Sequence, residues 1–307
     1  MDAKIILQEL SEAVGGSGLE HDVAEIIKKQ WQPLVDEIFV DRIGNLIAIK
    51  RGSDNPRQEA IMLAAHMDEI GLMVSEVDKD GFIRITNIGG IDPRILPASE
   101  VEIHGRERIT GVIGAKPPHV QKVAERNQSI PMDKLYIDCG LSFQEAQRII
   151  RVGDFISFKQ EYLQLTDDVF VGKSIDNRAG VGSLTVALQN LFHMDNKIDV
   201  IAVATVQEEV GLRGAITSTY SINPAIGLAV DVGFAHKKGL DENITLKAGG
   251  GPGLAWGPQV HPHIYDQLKN VADKEEIAYQ LDVSPYPGGT DAYAIQITRE
   301  GVATGLL

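Results

Sequence analysis

Short apolar runs that end in polar residues are the most informative pattern in this chain. In the sequence V-I-A-V-A-T-V-Q-E-E-V-G, an apolar, β-branched run leads straight into Glu208 and Glu209 and then into a glycine turn. Such a run predicts a buried strand of a parallel sheet. Open α/β sheets carry functional side chains at the C-terminal ends of their strands. Paired acids after a strand are also common at the solvated start of a loop, so both interpretations remain open here.

Similar patterns predict alternating helices and strands at both ends of the chain. Before the middle of the chain they predict an amphipathic N-terminal helix, a helix over residues 21–31, a hairpin over 37–50 and a buried strand over 60–66. From residue 174 they predict a helix rich in small residues, the strand before Glu208, a short helix, a strand over 226–232 and two more helices. This alternation predicts an α/β fold.

The texture changes between Gly71 and about Leu165, where short β-rich pieces alternate with glycine, proline and aspartate turn signals. Only residues 142–150, which begin with an S-x-x-E capping box, have a helical pattern. Many short strands at this spacing predict a compact β-barrel or sandwich. We therefore predict a discontinuous α/β domain of residues 1–70 and 165–307 around an inserted all-β domain of residues 71–164.

Composition narrows the classes of protein. The net charge of -14 and the pI near 5.0 argue against the basic face that nucleic-acid binding needs. The sequence contains no run of about 18 uncharged apolar residues, which is the length that a membrane-spanning helix needs. No targeting segment is visible. The single cysteine, Cys139, excludes an intrachain disulfide and suits a reducing compartment. We expect a cytoplasmic protein with neither nucleic acid nor membrane as a partner.

Three further polar sites accompany the glutamate pair. His66 and Asp68 lie two residues apart at a strand end, so a carboxylate can accept the second imidazole N–H, although a lone histidine there is often structural. Asp176 begins a helix, where an aspartate is also a common N-cap. Asp231 lies inside an apolar strand, where an acid must be hydrogen-bonded, salt-bridged or metal-bound.

Taken together, one imidazole and several carboxylates at sheet and helix ends form an oxygen and nitrogen donor set. Such a set suits zinc, cobalt or manganese. Two divalent ions would offset the repulsion between the acids, and a carboxylate such as Asp176 could bridge them. An acid that is not a ligand would then be free to act as a general base.

Five motifs in chain order are similar to those of the tetrahedral, or glutamyl-type, co-catalytic aminopeptidases, some of which carry endoglucanase or deblocking-aminopeptidase names. They are H-M-D-E-I-G, S-I-D-N-R-A-G, Q-E-E-V-G-L-R-G-A, A-V-D-V-G and G-G-T-D-A. The resemblance implies a three-layer zinc-peptidase-like α/β domain with an inserted β-barrel that mediates dimerisation. It also implies two divalent metal ions per subunit, zinc or cobalt in preference to manganese.

Residue by residue, the resemblance makes His66 and Asp231 ligands of one metal and Glu209 a ligand of the other, with Asp176 bridging both. It makes Glu208 the general base and Asp68 the residue that orients His66. Residues 288–291 lie near the site in the family, and we assign them no role. The family's last ligand is a histidine in a segment after the G-V-x-T-G-L strand. The sequence ends at Leu307 in that strand, so we expect a further C-terminal part.

The resemblance implies an aminopeptidase that hydrolyses the N-terminal residue of short peptides through a metal-bridging water. It also implies a homo-oligomer, a dimer that builds up to a dodecamer. A non-catalytic assembly subunit of the same fold is the main alternative. A glycoside hydrolase is disfavoured, because its two carboxylates must flank one bond several ångströms apart, which adjacent glutamates cannot easily do.

Overall fold

The computed structural model describes residues 3–57, 59–120, 128–237, 239, 245–285 and 288–307. These residues form two compact units, Met1–Asp68 with Ser174–Leu307, and Glu69–Lys173. The helices of the first unit are α1 (Ala3–Glu12), α2 (His21–Trp31), α4 (Ile175–Leu191), α5 (Arg213–Ile222), α6 (Pro262–Lys274) and α7 (Asp291–Ile297). Helix α3 (Phe143–Ile149) belongs to the second unit.

The first unit is built on a six-stranded mixed sheet. In spatial order its strands are β1 (Glu37–Val40), β2 (Leu46–Lys50), β12 (Asp199–Thr205), β3 (Ala60–His66), β13 (Ile226–Ala229) and β16 (Ala303–Leu306). Strands β1 and β2 form the predicted hairpin, and β2 runs antiparallel to β12. The pairs from β12 to β16 are parallel. A separate parallel pair joins β14 (Gly253–Trp256) to β15 (Gln280–Val283).

Helices cover both faces of this sheet. Ala202 and Ala204 of β12 pack in one core with α1, α2 and α4, whereas Ile201 and Val203 pack in another with α5 and α7. Because both faces of β12 are buried, the strand is apolar from Val200 to Ala204 rather than alternating. No helix among the described residues is both long and apolar enough to cross a membrane.

The second unit is a closed antiparallel barrel. In barrel order its strands are β4 (Gly71–Val77), β5 (Ile83–Ile88), β8 (Tyr136–Asp138), β7 (Arg108–Gly114), β6 (Glu100–His104) and β9 (Phe155–Phe158). Helix α3 begins at the predicted capping box, in which Ser142 and Glu145 each bond the other's backbone N–H. The predicted fold, a three-layer α/β domain with an inserted β-barrel, is confirmed.

The predicted boundary at residue 165 falls inside a hairpin. Strands β10 (Leu163–Thr166) and β11 (Val169–Val171) pair antiparallel across it, and the second compact unit extends to Lys173. Backbone hydrogen bonds hold the two strands together, so a boundary between them would separate paired residues. The other predicted boundary, after residue 70, lies two residues beyond Asp68, where the first unit ends.

Candidate active site

The C-terminal ends of three parallel strands meet at one edge of the sheet. Strand β3 ends at His66, directly opposite Thr205, the last residue of β12. On the other side of β3, Ala229 at the end of β13 pairs with Ala64. Residues that follow β12 and β13 therefore lie level with His66. The chain thus delivers five of its six predicted site residues to the same edge from three strands, and the sixth, Asp176, comes from α4.

His66 is the centre of the cluster and is almost fully buried. Its Nε2 lies 3.2 Å from Oδ1 of Asp176 and 3.9 Å from both Oε2 of Glu208 and Oδ1 of Asp231. Its Nδ1 lies 3.2 Å from the backbone carbonyl oxygen of Asp68, which can only accept a hydrogen bond. Nδ1 therefore carries a proton, and Nε2 faces the carboxylates.

Asp68 makes more contacts than the sequence predicted. Its carboxylate is fully buried and lies 3.5 Å from Nδ1 of His66. It also accepts hydrogen bonds from the backbone N–H groups of Glu208 at 3.0 Å and Glu209 at 3.3 Å. Burial raises the pKa of Asp68, but the hydrogen bond and charge of His66 outweigh that effect, so its pKa is lowered. Asp68 thus stays ionised and connects the imidazole to the glutamate pair.

Asp176 is not the N-cap of its helix. Ser174 occupies the N-cap of α4, and the backbone at Asp176 and Asn177 departs from helical geometry, with a cis peptide bond between them. The Asn177 amide donates to the carbonyl oxygen of Val230 at 2.7 Å, joining this irregular first turn to the end of β13. The Asp176 side chain, 61% exposed, projects towards His66.

Asp231 lies beyond its strand rather than inside it, which corrects the prediction of a strand over 226–232. Strand β13 ends at Ala229, and the Val230 N–H still donates to the carbonyl oxygen of Ala64. Val230 and Val232 extend the apolar pattern although they follow the strand, which is why the pattern overestimates its length. The Asp231 carboxylate accepts from the N–H of Val232 at 2.8 Å and is 11% exposed.

Two local features bring Glu208 and Glu209 into one site: Gln207 is left-handed, and the Gly211 N–H closes a tight turn on the carbonyl oxygen of Glu208 at 3.0 Å. Strict strand alternation would send their side chains to opposite faces. Strand β12 ends at Thr205, and Gln207 has a φ of 55°. This conformation costs a non-glycine residue roughly 1–2 kcal/mol. It turns the chain, and ligand atoms of both glutamates lie within 4.8 Å of each other and of His66.

The residues present fit a divalent metal ion. One group of mutually close ligand atoms comprises His66, Asp176 and Asp231, the three that the resemblance places on one metal. A second group comprises His66, Glu208 and Glu209, so Glu208 is also close enough to be a ligand. Imidazole nitrogen and carboxylate oxygen are donors that zinc and cobalt accept.

The electrostatics of the cluster favour a cation. Burial raises the pKa of Glu208 to about 8, of Glu209 to about 7 and of Asp231 to about 6, and neighbouring carboxylates add to each shift, whereas His66 opposes it. Burial lowers the pKa of His66, but Asp176 and Asp68 outweigh it, so its pKa is well above the usual range. A divalent ion would stabilise all these carboxylates in their ionised form.

Comparison with known proteins decides the family. The sequence matches the M42 glutamyl aminopeptidase family over residues 44–307. It is 36% identical over 308 residues to a lysyl aminopeptidase of Pyrococcus furiosus, covering 98% of this chain and 87% of that protein. The chain belongs to the M42 family. It is therefore a peptide hydrolase with aminopeptidase function.

Solved structures of peptidases have the same fold. An aminopeptidase of the archaeon Desulfurococcus kamchatkensis superposes with a TM-score of 0.92 at 36% identity, over 99% of this chain and 86% of that one. The TET1 peptidase of Pyrococcus horikoshii superposes with a TM-score of 0.86 at 32% identity, over 99% and 90% of the two chains. That peptidase assembles into a tetrahedron or a large octahedral shell.

Asp291 is a buried acid to which the sequence analysis assigned no role. In this M42 chain it begins α7 and is 3% exposed. Its Oδ2 accepts from the hydroxyl of Thr205 at 2.5 Å, and its Oδ1 has no hydrogen-bond partner among the described residues. Burial raises its pKa to about 6, against the opposing effects of His66 and Thr205. An aspartate at a helix start resembles an ordinary capping residue, so the sequence contained no sign of this burial.

Proposed function

We propose that this M42 chain is a cytoplasmic, di-metal aminopeptidase that hydrolyses the N-terminal residue of short peptides. The observation that carries the proposal is the cluster around His66, in which donor atoms of two three-residue groups each lie within 4.8 Å of one another. The acidic composition and the single cysteine support the cytoplasmic location.

The ligand assignment follows the resemblance, and the distances support it for His66, Asp176 and Asp231. His66, Asp176 and Asp231 would hold one ion, and Glu209 with Asp176 would hold the other. Zinc or cobalt is favoured, with manganese also compatible with the donor set. Bound there, the ions would polarise the scissile carbonyl group and lower the pKa of the attacking water.

Glu208 is the proposed general base. Its carboxylate is buried beside the cluster, with Oε2 3.9 Å from Nε2 of His66. Burial raises its pKa to about 8 in the metal-free cluster, and bound ions would lower that pKa, so that Glu208 is ionised near neutral pH and can accept a proton. Oε2 of Glu208 would take the proton of the attacking water and return it to the leaving nitrogen. Asp68 would hold the Nδ1 tautomer of His66 and the backbone of the glutamate pair.

The negative charge of the cluster also suits the substrate's free α-amine, which is cationic at neutral pH. This preference for a charged N-terminus is what makes the proposed activity exopeptidic rather than endopeptidic. A carboxylate of the cluster would dock the amine while the first peptide bond lies over the proposed ligands.

Peptide cleavage after metal exchange tests the proposal. The protein would be treated with a chelator, dialysed, and assayed on one short peptide with a free and with an acetylated N-terminus. Release of the first residue should disappear on chelation, return with added zinc or cobalt, and occur only with the free amine. Equal cleavage of the acetylated peptide, or turnover that survives complete metal removal, would overturn the proposal. Two tight binding events in a calorimetric zinc titration would also argue against a non-catalytic assembly subunit.

We further infer a homo-oligomer in which the second compact unit pairs two subunits, with dimers building up to a dodecamer. The hairpin of β10 and β11 supports this, because its apolar side chains are exposed. They are Leu163 at 44%, Leu165 at 63%, Val169 at 50% and Val171 at 40%. Light scattering after size exclusion should find an assembly larger than one subunit, reduced in size by Leu165→Glu. A monomeric wild-type protein would contradict the inference.

A further inference from the structure

The loop between α1 and α2 carries two polar side chains that reach the candidate active site. The Ser17 hydroxyl donates to Oδ2 of Asp68 at 2.6 Å. Glu20, only 5% exposed, accepts at Oε1 from the backbone N–H groups of Gly18 at 2.8 Å and Gln207 at 3.1 Å. Glu20 occupies the N-cap position of α2, yet its side chain makes no capping bond there. Its carboxylate is directed to the turn after β12 instead.

That turn is held by side chains from distant parts of the chain. Beyond Thr205 the backbone leaves the sheet, and four successive N–H groups, those of residues 206–209, donate to side-chain oxygens rather than to a neighbouring strand. The acceptors in order are Asn45 at 3.0 Å, Glu20 at 3.1 Å, and Asp68 at 3.0 and 3.3 Å. Buried N–H groups need such partners. The geometry of the glutamate pair therefore depends on these three side chains.

Glu20 bonds the residue on which the turn depends. Gln207 is the left-handed residue that ends strand alternation, and its N–H is the group that Glu20 accepts. Without this bond the N–H would have to find another partner, and an extended Gln207 would carry both Glu208 and Glu209 away from His66. Within the turn, Asp68 accepts hydrogen bonds from the N–H groups of Glu208 and Glu209 but not from that of Gln207, so it does not replace Glu20 at this position.

We propose that Glu20 is a positioning residue of the active site, whose buried carboxylate holds Gln207 in its left-handed conformation so that Glu208 and Glu209 both face His66. This inference rests on the proposed function, because the catalytic roles of Glu208 and Glu209 come from there. A carboxylate suits the task because a charged acceptor forms stronger hydrogen bonds with N–H groups than a neutral one. The hydroxyl of Ser17, from the same loop, donates to Asp68, and Asp68 accepts the next two N–H groups of the turn.

Two substitutions separate the hydrogen bond from the charge. Glu20→Gln keeps an oxygen at the same reach, whereas Glu20→Ala removes it. Glu9→Ala is the matched control, because Glu9 on α1 accepts a 2.8 Å bond from Gln30 on α2 and makes no bond to the turn. We expect Glu20→Ala to lower kcat about tenfold to a hundredfold with KM little changed. Glu20→Gln should lie within a few-fold of wild type, and Glu9→Ala should match it.

Zinc titration by calorimetry gives a readout that a purely structural role would not move. The binding event that disappears in Glu209→Ala should weaken about tenfold in Glu20→Ala, while the other event keeps its affinity. Equal weakening of both events, or of the same event in Glu9→Ala, would show that Glu20 acts only through general stability and would overturn the proposal.

Amide hydrogen exchange tests the inference without relying on activity. Peptides covering residues 206–209 should exchange faster in Glu20→Ala than in wild type, with no such change in Glu9→Ala or Glu20→Gln. Unchanged exchange in Glu20→Ala would overturn the proposal even if the enzyme is active. The two proposals can fail separately. If wild type shows no metal-dependent cleavage but the exchange pattern is as expected, the proposed function is refuted and the positioning of the turn by Glu20 is still supported.

Discussion

Strands β12 and β13 both end beside His66, but they hold their acids in different ways. After β13 the backbone stays in register, since the Val230 N–H bonds Ala64 and the Asp231 N–H bonds the carbonyl oxygen of Leu307. After β12 the backbone leaves the sheet, and side chains hold its N–H groups. We call the end of β13 the backbone-held end; it presents one acid, Asp231. We call the end of β12 the side-chain-held end; it presents two adjacent acids, Glu208 and Glu209.

This difference assigns different tasks to the two ends. A single acid on a backbone-held end is suited to be a fixed ligand. Two neighbouring acids on a turn can divide ligation and proton transfer between them, provided the turn keeps both in place. Substitutions at the two ends should therefore fail in different ways.

The largest expected effect is at the side-chain-held end. Glu208→Gln keeps the size and hydrogen-bonding atoms of the side chain but cannot accept the proton of the attacking water. We expect kcat to fall about a thousandfold, with both zinc-binding events retained in calorimetry. Substantial turnover in this variant would remove Glu208 as the base, and loss of a binding event would make it a ligand.

At the backbone-held end, Asp231→Asn should fail by losing metal rather than chemistry. We expect one zinc-binding event to weaken by at least about tenfold to a hundredfold, and activity to recover partly at high zinc concentration. The measurement is a zinc titration of activity compared with that of wild type. An Asp231→Asn variant with unchanged zinc dependence would show that the two ends do not differ in the way proposed.

The free energy of unfolding should depend on pH differently in the metal-free and the metal-bound protein. The raised pKa values of Glu208, about 8, and Glu209, about 7, mean that the folded protein keeps protons that the unfolded chain loses near pH 4.5. The raised pKa of His66 acts in the same direction, whereas the lowered pKa of Asp68 acts only below about pH 4. The free energy of unfolding of the metal-free protein should therefore fall from about pH 5 to pH 8.

Each extra proton held by the folded state contributes a slope of roughly -1.4 kcal/mol per pH unit. Saturating zinc should flatten or reverse this slope, because it binds the deprotonated ligands and displaces their protons. Urea unfolding at several pH values, with and without zinc, measures both slopes. A metal-free protein that becomes more stable over this range would contradict the electrostatic account of the site.

The smallest expected effect concerns the turn residue itself. Gln207→Gly suits the left-handed φ of 55° and should change the free energy of unfolding by no more than about 1 kcal/mol, with activity retained. Gln207→Val, a β-branched residue that disfavours this conformation, should lose both stability and kcat. Both variants lose the 3.1 Å bond between the Gln207 and Arg213 side chains, so their difference isolates the backbone. Equal activity of the two would show that the left-handed turn is unimportant.

The strands of the sheet and the polar residues at their ends were the features that the sequence could predict. Apolar runs located β3, β12 and β13, and a polar residue after each run located His66, Glu208 and Asp231. The pattern extended β13 too far, because Val230 and Val232 are apolar outside the sheet. The barrel strands other than β8 were equally visible, since each short apolar piece is bounded by turn residues; β8, three residues long, was not predicted.

The side-chain contacts that hold the turn after β12, and the buried acids at helix starts, could not be predicted in this way. Glu20 and Asp291 stand at helix starts, where acids are common caps, and only the folded chain shows that both are buried and bonded elsewhere. The left-handed Gln207 has no sequence signal, because glutamine has no preference for that conformation. The separate roles of Glu208 and Glu209 came from the family resemblance rather than from spacing.

Glu208 and Glu209 are proposed to have different roles, Glu208 as the general base and Glu209 as a metal ligand. Crystals of the zinc-loaded protein, with anomalous scattering measured at the zinc edge, test these roles most directly. The account predicts two ions, one bound by His66, Asp176 and Asp231 and the other by Asp176 and Glu209, with the carboxylate of Glu208 coordinating neither. Zinc bound directly by Glu208, or a single ion held without Glu209, would contradict it.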